Sequence, residues 1–144
     1  MMKKRIITLL LAAAALVLTG CGYSKPETHS MLGINLKSIT TVCGTDCTMD
    51  DIDINSTSDH GTATYVYTDV AENKGISDAK KYHDYLKNNE HCVKIDDFDE
   101  EKGAYTAYFR VGSTDLKEGF SMKVSFTRDS YTVHISDNVS LEGL

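Results

Sequence analysis

Phe120-Ser121-Met122-Lys123-Val124-Ser125-Phe126-Thr127 alternates apolar and polar residues without a break. Successive side chains of a strand point to opposite faces, so Phe120, Met122, Val124 and Phe126 share one face and Ser121, Lys123, Ser125 and Thr127 the other. A strand of this kind has one side buried and one side wet. Arg128-Asp129-Ser130 follows as a polar turn, and Tyr131, Val133 and Ile135 resume the pattern. Upstream, residues 104–111 set Tyr105, Ala107, Phe109 and Val111 against Thr106, Tyr108 and Arg110. Residues 92–98 read as a further strand with Val93 and Ile95 on one face, and 99–103 (Asp-Glu-Glu-Lys-Gly) as the hairpin loop.

An apolar sheet face must be covered, and residues 77–88 are the available helix. Ala79, Tyr82 and Leu86 recur at steps of three and four, with Tyr85 beside them. Ser77 is placed as the N-cap, with Asp78 in the first turn and Lys87 in the last, both favourable to the helix dipole. Asn88 and Asn89 suit the exit. Before the helix, 34–42 is read as a strand on the strength of β-branched Thr40, Thr41 and Val42. Residues 43–47 form a turn. Residues 49–55, with Ile52 and Ile54 on one face, and 62–68 add two more strands. The expectation is an α+β domain over 34–144: an antiparallel β-meander of four or more strands with one helix packed on one face.

The N-terminus speaks to location. Lys3, Lys4 and Arg5 precede an apolar run from Ile6 to Leu18, and Leu18-Thr19-Gly20-Cys21 closes it. A spanning helix needs roughly 20 apolar residues, and this run is shorter. The order of charged, apolar and small residues is that of a secretory signal. Leu18-Thr19-Gly20-Cys21 resembles the lipobox of bacterial lipoproteins. That resemblance implies removal of residues 1–20, diacylglycerol on Cys21, and a partner in the membrane through that lipid. Location is then the outer face of the cytoplasmic membrane, or the outer membrane in a host with two. Residues 21–33 read as the anchored N-terminus and tether, with His29 a solvated linker residue. From about Leu36 to Ile135 the pattern also resembles small uncharacterised lipoproteins of Gram-positive bacteria. That likeness carries no catalytic signature and implies no activity.

Composition narrows the partners. The chain carries a net charge of −6, and its basic residues include the signal, so the remainder is more acidic still. Nucleic acid is therefore not an expected partner. Three cysteines remain besides Cys21, and an exported chain can oxidise two of Cys43, Cys47 and Cys92, with the pair left open. A metal reading uses the Cys43-x-x-x-Cys47 spacing with His91 and Cys92, and His60 in reserve. Asp51, Asp53 and Asn55 imitate a calcium loop, but Ser56 stands where glycine is needed and Thr62 where the last glutamate is needed. Asp96, Asp97, Asp99, Glu100 and Glu101 crowd one hairpin tip, which reads first as a solvated loop. No phosphate loop, nucleophile elbow or paired-histidine metal motif is present, and no cofactor is expected. These features point to a lipid-anchored, non-enzymatic binding or accessory module of the cell envelope, with Tyr65, Tyr67 or Tyr108 as contacts. The alternative is a metal- or thiol-dependent envelope protein using Cys43, Cys47 and Cys92.

Overall fold

The computed structural model describes residues 24–56, 61–111 and 118–144. The expected signal, the lipobox and His60 lie outside the described residues. Among the described residues the chain forms eight strands and two α-helices. No helix among them is long and apolar enough to cross a membrane.

A hairpin comes first: β1 (Thr28–Met31) and β2 (Ile34–Lys37) pair as a separate two-stranded sheet. A short helix α1 (Ile39–Cys43) follows. The main sheet has six antiparallel strands. They are β3 (Thr48–Ser56), β4 (Gly61–Thr68), β5 (Cys92–Ile95), β6 (Ala104–Arg110), β7 (Glu118–Phe126) and β8 (Tyr131–Ser140), in the spatial order β3-β4-β8-β7-β6-β5. Helix α2 (Gly75–Lys87) carries the chain from β4 to the far edge at β5, and the next three strands return until β8 closes against β4.

The alternation read from the sequence sets the buried face. Tyr65 lies opposite Val133, which in turn faces Val124; Ala63, Ile135 and Met122 form the next row. Ala63, Val124, Val133, Met122 and Ile135 are fully buried, and Tyr65 is nearly so. Helix α2 covers this face with Ala79, Tyr82 and Leu86. The Tyr105 hydroxyl donates to the Ala79 carbonyl at 2.8 Å, and His83 meets the Tyr105 ring edge-on at 4.9 Å. The opposite face carries Thr64, Val66, Thr132, His134, Ser125, Thr106 and Tyr108, all half-buried. The domain is thus α+β and largely antiparallel sheet, with a sheet larger than a four-stranded meander.

Several expectations need correction. The stretch 34–42 is not one strand: it is β2, a turn and α1. Ser38 caps α1, its hydroxyl accepting from the Thr41 amide at 3.2 Å. Gly44 ends α1 at φ +67°, its amide donating to the Thr40 carbonyl at 2.9 Å. Caps at both ends, with Ile39 wholly buried, override the strand preference of Thr40, Thr41 and Val42. The segment expected as a tether contains β1, and His29 is only 2 % exposed. Tyr65 and Tyr67 are core residues rather than exposed contacts; Tyr108 alone of the three lies on the open face. Strand β5 stops at Ile95, where the chain bends so that Phe98 stacks on Phe126 at 5.2 Å.

Helix α2 starts two residues before the expected cap. Ser77 is inside it, its hydroxyl donating to the Lys74 carbonyl at 3.1 Å. The first amide is satisfied from outside: Gly75 donates to the Arg128 carbonyl at 2.9 Å, in the turn between β7 and β8. A Cβ on Gly75 would lie 2.1 Å from the Thr127 carbonyl oxygen. Backbone meets backbone here, so no side chain can yield. Gly75→Ala is expected to destabilise the domain by about 2–3 kcal/mol. The measurement is a urea titration, with a lower midpoint and an unchanged slope.

Candidate functional site

Two regions gather the chemistry-bearing side chains. The first is a side-chain cluster where the end of α1, the start of β3 and the first turn of α2 meet. Cys43 closes α1 and its thiol donates to the Asp78 carbonyl at 3.4 Å. Cys47, just before β3, accepts from the Tyr131 hydroxyl at 3.9 Å. The two thiols are close enough that ionising one raises the pKa of the other. Asp78 is 5 % exposed, with Oδ2 buried and without a hydrogen-bond partner. Its place in the first helical turn lets the helix dipole favour its charge.

Burial works against thiolate formation in this cluster. Burial pushes the Cys43 thiol up to about 12, and the neighbouring Asp78 charge adds to the rise. Burial likewise raises the pKa of Cys47. A nucleophilic cysteine needs positive surroundings that stabilise the thiolate; at Cys43 the leading charge effect, from Asp78, opposes this, and Lys81 offsets it only in part. Cys43, Cys47 and Cys92 are free thiols. Cys92 lies beyond the other end of α2, opposite Phe109 in the sheet, and His91 beside it is exposed and paired with Glu90 at 3.3 Å. The expected set Cys43, Cys47, His91 and Cys92 is therefore split between the two ends of the helix. Among the described residues, no group of three or more His, Cys, Asp or Glu side chains is placed to hold a metal ion. Asp51, Asp53 and Asn55 lie along β3, where Asn55 donates to Asp53 at 2.9 Å.

The second region is an open cleft under the hairpin tip. Ile76, Ile95, Phe98 and Ala104 contribute apolar lining, and Asp96, Asp97, Asp99, Glu100 and Glu101 the acidic lining. Two of the carboxylates serve the loop itself. Asp96 accepts from the Thr106 amide at 3.0 Å, and Asp99 from the Glu101 amide at 2.9 Å. His83 fixes the base, with its Nε2 2.8 Å from the Asp96 carbonyl oxygen. The carboxylates of Asp97, Glu100 and Glu101 carry no ion pair or hydrogen bond among the described residues. Two lysines also line the cleft, Lys94 and Lys102, and Lys102 reaches Asp99 at 4.0 Å. The tip is thus an ordered loop with three uncommitted negative charges beside an apolar floor. The sequence marked the charges; it did not show the floor, because Ile76 comes from α2 and Phe98 from beyond β5.

The thiol cluster makes a chemical prediction. With the protein reduced at pH 8, Cys43 should alkylate about a thousandfold more slowly than an unfolded thiol, following its thiolate fraction. Peptide-resolved mass spectrometry after timed iodoacetamide labelling reads this directly, and unfolding in urea should abolish the protection. No protein-family model, curated protein or solved structure matches this chain.

Proposed function

We propose that this chain is an exported, lipid-anchored protein of the cell envelope that acts as a non-enzymatic binding module. The observation that carries the reading is the signal pattern from Lys3 to Leu18 ending at Leu18-Thr19-Gly20-Cys21. Two or three acyl chains at Cys21 hold a protein to a bilayer where a single chain would be marginal. The acidic domain adds no attraction of its own to an anionic lipid surface, so the lipid does the anchoring.

For the binding surface, the cleft under the acidic tip supports a cationic partner, such as a lysine-rich segment of another envelope protein. Its open carboxylates provide long-range attraction, and Ile76, Ile95 and Phe98 provide apolar area for the stems of long basic side chains. On this reading Tyr108, on the open sheet face, belongs to a different surface.

Anchoring and binding are tested separately. Cells grown with an alkyne-bearing fatty acid should label the mature protein, and Cys21→Ser should remove the label; label persisting in that variant overturns the anchor. The detergent-solubilised full protein should bind an oligolysine peptide in a salt-sensitive manner. Combining Asp97→Asn, Glu100→Gln and Glu101→Gln should weaken that binding roughly tenfold. Unchanged affinity removes the cleft from the proposal.

A further inference from the structure

His29 is a buried histidine with no polar partner. It sits on β1, 2 % exposed, and neither ring nitrogen has a hydrogen bond. Its ring lies against Tyr65 of β4, centroids 4.7 Å apart and planes tilted by 47°. An imidazole carries at least one N–H, so the docked state leaves a donor unsatisfied even when the ring is neutral. A protonated ring would bury a charge and two donors with nothing to receive them.

The element that holds His29 can part from the rest without breaking the main sheet. Strands β1 and β2 pair only with each other. An isolated hairpin has little stability of its own in water, so this one depends on its dock. Apolar contact comes from Met31, Ile34 and Leu36. Polar contact comes through Lys37, whose amide donates to the Tyr85 hydroxyl at 2.9 Å and whose carbonyl accepts from the Tyr82 hydroxyl at 2.9 Å. At its other end the Glu27 carbonyl accepts from the Ser38 amide at 3.0 Å and the Thr41 hydroxyl at 2.8 Å.

We propose that the β1–β2 hairpin is an acid-released latch: protonation of His29 ejects it from the face of β4, lengthening the linker between residue 21 and the six-stranded sheet. Held between neutral groups, the ring has no counter-charge. Tyr65 of β4 is the titratable side chain in ring contact. Glu27 and Lys37 of the same segment are exposed, and Tyr82 and Tyr85 of α2 are engaged with Lys37. None of these shifts the protonation of His29; burial alone lowers its pKa from 6.5 to about 4. The sign follows from the released state binding more protons. Docking is at full strength above pH 6.5 and weakens as the pH falls toward about 4. Relative to pH 7, the undocking equilibrium should rise roughly twentyfold at pH 5 and about a hundredfold at pH 4.

The test is hydrogen exchange of the detergent-solubilised full chain at pH 7 and pH 5, corrected for intrinsic exchange rates. Amides of residues 28–37 should lose protection at pH 5 by roughly twentyfold while those of β6, β7 and β8 keep theirs. His29→Phe should hold the hairpin protected at both pH values. Loss of protection in the hairpin and the main sheet together, or a pH response that survives in His29→Phe, overturns the latch. Should that variant fold poorly, NMR titration of the His29 ring in the unaltered protein decides the matter. A midpoint below 6 accompanied by loss of the His29–Tyr65 ring contact supports the latch; a midpoint at 6 or above, or protonation with that contact kept, overturns it.

Discussion

Buried tyrosine hydroxyls hold the layers of this protein together. Tyr65, Tyr67, Tyr82, Tyr105 and Tyr131 are all core residues. A phenol brings a large apolar ring, but its hydroxyl needs a partner once water is gone. Tyr105, on the sheet, finds the backbone of α2, and Tyr82, on α2, finds the backbone of the hairpin. The sheet is thereby tied to the helix and the helix to the hairpin, each time by a hydroxyl reaching a main-chain group. Burial raises the pKa of each of these tyrosines, so the hydroxyls themselves stay protonated across the pH range in which carboxylates and histidines titrate.

The same arrangement explains why the polar groups that remain are informative. Most of the core is satisfied by tyrosine, Ser38 and backbone. The Tyr67 hydroxyl, Arg110 Nε, Asp78 Oδ2 and the His29 ring depart from that economy. Asp78 lies in the first turn of α2, and its charge adds to the burial that keeps Cys43 a thiol. His29 has no counter-charge. A neutral residue of the same size would pack there without cost, which is what sets His29 apart from the surrounding side chains.

Much of the fold was legible because β6, β7 and β8 are long, regular and wet on one side. Residues 104–111 and 120–127 alternate cleanly, and the structure places those alternations in register. The N-terminal third was harder to read. Its hairpin turns on Leu32 (φ 52°) and Gly33 (φ 85°), a left-handed pair in which leucine stands where asparagine or aspartate would announce the turn. Thr40, Thr41 and Val42 carry strand preferences that two caps overrule. The start of α2 was invisible locally, since its first amide is satisfied by Arg128, far along the chain. The carboxylates at the hairpin tip were plain in the sequence, whereas the apolar floor beside them is assembled from α2 and β5. Spacing placed Cys43 and Cys47 together but could not show that α2 separates them from Cys92.

The outer strands of the sheet have a bearing on how many copies can share a surface. Among the described residues, strand β3 leaves one side of its backbone unpaired, and Asp51 and Asp53 on it are exposed. At the other margin β5 is short and interrupted by a bulge between Cys92 and Lys94. Charge on one edge and irregularity on the other both discourage strand-to-strand addition. Molecules tethered to one bilayer would meet at far higher local concentration than in free solution. On the lipid-anchored reading proposed above, these two edges would let such copies crowd there without joining into continuous sheets.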